Sequence, residues 1–164
     1  MQRHESQRGY FAHALYESMK ENEDIFLLVG DLGYKVFDQH FEDFPGRCVN
    51  TGASEQAMIG IAVGLALKGK IPFAYSITNF LLRRPYETLK LYADEEQIAI
   101  KLVGSGRDKD YAHDGPSHDA TEAKQLLATL PNVNQYWPDE KEEVTAMVKA
   151  MVDSKKPDFI SLKR

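Results

Sequence analysis

The chain has 164 residues, 43% of them hydrophobic and 27% charged, which is the composition of a globular domain able to bury a core without disulfides or structural metals. Its 20 lysines and arginines are outnumbered by 25 aspartates and glutamates and are spread along the chain, giving a net charge of -5 that argues against nucleic acid as a partner. Cys48 is the single cysteine, so no intrachain disulfide, redox pair or thiolate cage can form, and a reducing, cytoplasmic setting is expected.

Phe11, Leu15 and Met19 recur at helical spacing and predict a helix over residues 10–22. A buried strand follows over the apolar run 25–29, which ends at Gly30. Residues 48–50 form the next strand, with Cys48 as a small core hydrophobe. The hydroxyls of Thr51 and Ser54 are suited to capping a helix over 55–67. That helix carries Ala57, Gly60, Ala62, Gly64 and Ala66; because glycine weakens a helix, a sheet or a partner subunit is expected to approach it closely. Its apolar stretch is far shorter than the about 20 residues that span a bilayer, and the polar N-terminus lacks a secretory core, so neither membrane insertion nor export is expected.

A third strand at 71–75, a helix at 85–93 opened by Pro85 and a fourth strand at 98–103 come next. Residues 104–120 read as a charged, glycine-rich loop, 122–130 as a helix, 133–136 as a short strand, 139–152 as a helix and 159–162 as a last strand. Strands separated by helices need crossover connections. The expected fold class is therefore α/β, one domain with a mostly parallel sheet, helices on both faces and ligands at the C-terminal ends of the strands.

Four segments fall at those ends, residues 30–33, 51–55, 76–80 and 104–118. Gly30-Asp-Leu-Gly33 lacks the second half of a P-loop or dinucleotide fingerprint and reads as a turn in which both glycines supply positive φ. Glu55 opens the helix at 55, where spacing alone favours a carboxylate attracted by the helix dipole; the alternative is a carboxylate facing a buried ligand and sharing a proton with a ring nitrogen. Phe80, after the polar Thr78 and Asn79, either fills the core or stacks on a planar ligand. Gly104-Ser-Gly-Arg-Asp-Lys-Asp110 has the composition of an anion-binding loop, with Arg107 and Lys109 adding charge, and also that of a plain surface loop. The stretch from His113 to Asp119 holds two imidazoles and two carboxylates, but Gly115-Pro116 fixes no ligand spacing, so a metal site ranks below an acid–base or substrate-hydroxyl role. Neither Ser54 nor Ser76 has the G-x-S-x-G context of a serine hydrolase.

Taken in order, residues 50–66, the strand and loop from Pro72 to Phe80, and His113-Asp-Gly-Pro-Ser-His118 resemble the pyrimidine-binding domain of transketolase and its thiamine-diphosphate relatives, including deoxyxylulose-phosphate synthase. The resemblance covers nearly the whole chain and implies a single pyrimidine module over 1–164. It implies that Glu55 bonds the aminopyrimidine ring nitrogen, promotes the amino–imino tautomerisation and so helps deprotonate the thiazolium carbon. By the same resemblance Phe80 packs on the pyrimidine, Ile77 stands where transketolases usually carry another phenylalanine, and Asp31 and Leu32 border the cofactor. Asp114 and His118 match residues facing the sugar hydroxyls, with His118 also counted as catalytic, and Arg3 matches a substrate-phosphate arginine. At the position of a second phosphate arginine stands Trp137, and the loop at Arg107 lacks the expected histidine, so either Lys35, Arg83 and Arg107 supply a different anion site or the substrate is not the usual sugar phosphate.

The family holds the diphosphate through Mg²⁺, or Ca²⁺, on a Gly-Asp-Gly motif of a separate domain, and this sequence has no Gly-Asp-Gly. The resemblance thus implies half of an active site: a split transketolase-like transferase of carbohydrate metabolism, moving a two-carbon ketol unit between sugars or related aldehydes. A diphosphate-binding partner chain would complete it, in a heterotetramer with two copies of each. The alternatives are a subunit of a 2-oxo acid decarboxylase or dehydrogenase and a non-catalytic scaffolding subunit.

Overall fold

The computed structural model describes residues 5–164, so Arg3 lies outside the described residues. Six strands form one sheet, β1 (Ile25–Val29), β2 (Cys48–Asn50), β3 (Ile71–Ile77), β4 (Lys101–Ser105), β5 (Asn134–Tyr136) and β6 (Asp158–Leu162). Every pairing is parallel, in the spatial order β2-β1-β3-β4-β6-β5. Parallel strands covered on both faces need apolar residues on both, and β1 illustrates it: Leu27 enters one core and its neighbour Leu28 the other.

The helices are α1 (Gln7–Glu21), α2 (Asp38–Asp43), α3 (Glu55–Leu67), α4 (Thr78–Arg83), α5 (Tyr86–Thr88), α6 (Ala123–Leu127) and α7 (Glu143–Asp153). On one face α1 and α7 set Phe11, Leu15, Met19 and Val148 against Leu27, Tyr75, Val103 and Ile160. On the other, Met58, Ile59 and Ala62 of α3 join Leu82, Leu127 and Phe159. Ser6 caps α1, its Oγ accepting the Gly9 N–H at 3.1 Å, which starts the helix three residues earlier than apolar spacing alone indicates.

Several expectations shift. Ser54 precedes α3 without any side-chain cap, and the Thr51 hydroxyl donates instead to the Val29 carbonyl at 3.2 Å, tying β2 to the end of β1. The segment expected to be a loop after β3 is helix α4, which α5 and a π-helical stretch (Leu89–Glu95) continue. The fourth strand begins at Lys101, three residues later than the apolar run 98–103 indicates, and takes Gly104 and Ser105 out of the presumed loop. Lys101 tolerates this because its Nζ donates to the fully buried Asp158 Oδ2 at 2.6 Å and to the carbonyls of Ser154 and Lys156 at 3.0 and 2.7 Å. Helix α2, between Gly33 and Cys48, has no counterpart in the apolar pattern.

Candidate active site

Strand β1 has β2 on one side and β3 on the other, so consecutive crossovers leave in opposite directions, and a crevice opens at the C-terminal ends of β1 and β3. Three segments meet there: Gly30 at the end of β1, Glu55 at the start of α3, and Ser76 near the end of β3. The Glu55 side chain is only 1% exposed. Ser76 Oγ donates to its Oε1 at 2.7 Å, and the Arg84 guanidinium donates to its Oε2 at 2.5 Å.

Gly30 makes room for this carboxylate. A Cβ there would meet Ser76 Oγ at 2.9 Å and Glu55 Oε1 at 3.1 Å. Its φ is not positive, so close approach, and not turn geometry, is what demands glycine, contrary to the expectation for this turn. Gly33 does have positive φ, 91°, and a Cβ there would strike the Phe37 ring at 2.5 Å. Between them Asp31, also left-handed at φ 55°, is held by an exchange with Asn50, whose Oδ1 accepts the Asp31 N–H and whose Nδ2 donates to Asp31 Oδ1. Such strain in a non-glycine residue persists only where its surroundings hold it. Leu32, next to it, packs half-buried against the first core.

Ile77 ends β3, and Phe80 lies one turn into α4. The Arg84 guanidinium sits over the Phe80 ring, 3.8 Å from its centroid, and the His118 ring meets Phe80 edge-on at 4.8 Å. His118 comes from the long loop after β4, which is tied to α4 by Asn79 Nδ2 donating to the Ser117 carbonyl at 2.7 Å. Gly106 allows this path with φ 86°; a Cβ there would strike the Tyr111 ring. Tyr111 in turn bonds Ser105 Oγ and accepts from Arg8. Asp114 is one short 3₁₀ turn before His118 and lies 3.3 Å from His113 Nε2, which Arg164 also approaches at 3.2 Å. The structure therefore brings Glu55, Phe80, Ile77 and His118 to one end of the sheet.

The basic candidates fare differently. Arg107 is buried and spends its guanidinium on Ser161, donating from Nε to Oγ at 3.2 Å and to the carbonyl at 2.5 Å, with Asp139 at 3.7 Å and the Trp137 ring nearby. Burial lowers its pKa, opposed by Asp139. Arg83 pairs with Glu122 and donates to Asn79 Oδ1. Lys35 is exposed and left-handed, with its N–H on Asp38 Oδ1. The residue sequence reasoning missed is Arg84. Its one legible signal is its position four residues after Phe80, which puts both on one helix face. Among the described residues no group of three or more His, Cys, Asp or Glu is placed to hold a metal ion, and no helix is long and apolar enough to cross a membrane.

A buried carboxylate with a narrow glycine beside it and a flat aromatic face within reach of the same guanidinium fits a planar, protonatable heterocycle. Comparisons with known proteins identify the family. The family described as "transketolase, pyrimidine binding domain" matches residues 6–164. The chain is 29% identical over 158 residues to the 6-deoxy-6-sulfo-D-fructose transketolase subunit SqwH of a Clostridium species, covering 96% of this chain and 49% of that one. It is 27% identical to an apulose-4-phosphate transketolase subunit of Phocaeicola vulgatus, with 96% and 51% covered. Among solved structures, a split-gene transketolase described as an inactive β4 tetramer superposes with a TM-score of 0.85 at 30% identity, over 97% of this chain and 51% of that one. The chain thus spans about half the length of these relatives.

Proposed function

From the premise that this chain belongs to the family of transketolase pyrimidine-binding domains, we propose that it supplies the pyrimidine half of the active site of a split, thiamine-diphosphate-dependent transketolase-like transferase. The observation that carries this reading is the buried Glu55 carboxylate at the β1/β3 switch point, linked to the face of Phe80 through the Arg84 guanidinium. Glu55 would hold a proton at the ring nitrogen of the cofactor, with Ser76 fixing its other oxygen. Phe80 and Ile77 would form the apolar wall, and Asp31 and Leu32 the border toward β1. Thiamine diphosphate, when bound, supplies the carbanion chemistry of two-carbon ketol transfer. Asp114 and His118 are the residues for orienting substrate hydroxyls, and Lys35 is the proposed anion contact.

The diphosphate and its Mg²⁺ would be held by a partner subunit, in an assembly with two copies of each chain. Two features support a partner. The exposed side of α3 presents Ala57, Gly60, Ile61 and Gly64, and a Cβ at either glycine would meet nothing within 4 Å. The sheet is covered instead by Met58, Ile59, Ala62 and Val63, so the closeness that these glycines permit is not used within the chain. The inactivity ascribed to the β4 tetramer of the split-gene relative also fits a chain that carries half a site.

The test is to combine the chain with a diphosphate-domain subunit and titrate thiamine diphosphate with Mg²⁺ calorimetrically into each chain alone and into the complex. Binding by the complex only, with Glu55→Ala and Glu55→Gln abolishing ketol transfer from a ketose donor while leaving the fold intact, is the expected result. Undiminished turnover by either variant would refute the role of Glu55, and pyruvate decarboxylation without ketol transfer would refute the reaction class.

A further inference from the structure

Arg84 makes the two contacts that a bound aminopyrimidine needs. Its guanidinium donates from Nη1 to Glu55 Oε2 at 2.5 Å, while its central carbon lies over the Phe80 ring, 3.8 Å from the centroid. An aminopyrimidine ring bonded to the same carboxylate and stacked on the same ring would require the same space.

We propose that Arg84 is the resident occupant of this berth, pairing Glu55 and covering Phe80 in the cofactor-free chain and leaving both when the pyrimidine ring enters. The proposal rests on the reading of Glu55 and Phe80 as pyrimidine contacts. Three further observations give it substance. The Arg84 side chain is 44% exposed, so its departure is toward water and costs it little desolvation. It stands at the C-cap of α4, immediately before Pro85, where the regular helix is interrupted. Ser76 holds Glu55 Oε1, the oxygen that Arg84 does not use, so the carboxylate would keep a donor throughout the exchange.

The arrangement answers a problem created by dividing an active site between chains. A carboxylate that is 1% exposed, with one hydroxyl for company, is a costly thing to bury before the cofactor arrives. Arg84 supplies the missing cation in the interim. The consequence is competition: a site occupied by its own side chain for about 80–90% of the time binds its ligand about five- to tenfold more weakly than an open one.

The experiment uses the complex of the full chain with its diphosphate-domain subunit. Thiamine diphosphate with Mg²⁺ is titrated calorimetrically into wild type, Arg84→Ala, Arg84→Gln and Glu55→Ala. In parallel, the side-chain Nε–H resonance of Arg84 is followed by NMR in ¹⁵N-arginine-labelled chain. Arg84→Ala should tighten cofactor binding about five- to tenfold, and Arg84→Gln, a shorter neutral amide, should tighten it as well if the alanine variant does not fold. The Arg84 resonance should carry a ring-current shift in the free chain and lose it at saturation. Unchanged or weaker binding by the folded Arg84 variants overturns the proposal, as does a resonance that stays put at saturation. Wild-type binding that Glu55→Ala leaves intact overturns the pyrimidine reading itself and this inference with it.

Discussion

Replacing Gly60 and Gly64 by alanine separates what the chain needs from what its assembly needs. Both lie inside α3, neither has positive φ, and a Cβ at either has open space around it. Alanine is favoured over glycine in a helix interior by about 1 kcal/mol per site, so the double variant gains about 2 kcal/mol in the free chain. For a chain of this size that raises the melting temperature by roughly 4–8 °C. In the proposed complex the sign reverses. If this face meets a partner helix at close range, two added methyls overpack the contact at a cost of about 1–3 kcal/mol, weakening association roughly 5- to 150-fold. Thermal denaturation followed by circular dichroism measures the first quantity and calorimetric titration of the partner the second. A free chain that is not stabilised would refute the claim that these glycines are unused within the fold. A stabilised chain with unaltered partner affinity would refute the use of this face for assembly.

Gly30→Ala should do the opposite, lowering the melting temperature by the equivalent of about 1–3 kcal/mol and loosening cofactor binding in the complex, because its Cβ would press on Ser76 and Glu55; a variant indistinguishable from wild type in both measurements would contradict the close-approach reading. His40 is fully buried, its Nε2–H donating to the Ala12 carbonyl at 3.0 Å with Nδ1 unpartnered, and burial lowers its pKa from 6.5 to about 4. The folded imidazole stays neutral while the unfolded one protonates, so the stability it contributes is complete above pH 6.5 and falls by about 3 kcal/mol as pH drops to 4. Urea titrations at pH 7, 5.5 and 4 should show this slope and its flattening in His40→Gln; an unchanged slope in the variant would exclude His40 as its source. Asp158→Asn leaves the buried Lys101 ammonium without its carboxylate and should destabilise the chain by about 3–5 kcal/mol in denaturant titration, and a loss below about 1 kcal/mol would show that the two carbonyls suffice.

Periodicity found the elements that rest on apolar side chains alone. Residues 25–29 and 55–67 were legible to the residue, because a continuous apolar run ending in glycine and a small-residue helix have few other readings. The misplaced boundaries are those set by polar partners. The apolar run puts Lys101 in the middle of a strand over 98–103, whereas the strand opens at Lys101, whose charge is met by Asp158, 57 residues away. Thr78 and Asn79 read as loop until their side chains are seen bonding the Gly106 and Ser117 carbonyls across to the neighbouring loop. The segments that meet at the strand ends were legible, and the family resemblance named candidate residues on them, but spacing by itself left Glu55 a dipole-favoured carboxylate. Its burial, the reason for Gly30, and the reach of Arg84 all depend on crossovers that bring β1 and β3 side by side, and no local pattern encodes those.

The strand order also sets a sequence of events during synthesis. The pairing of β1 with β2 and β3 is complete once residue 77 has been made, and with it the strand ends that hold Gly30 and Ser76 against Glu55. The outer edge of β4, five buried residues, has no neighbour until β6 is made and inserts between it and β5. A nascent chain therefore carries an unpaired strand edge while residues 106–157 are made, a state prone to sticking to other chains and slow to resolve. The corner holding Glu55 would be built early, while the segment bearing His118, tied to α4, gains its remaining anchor only with the last strand, through the Gly106 N–H on the Leu162 carbonyl.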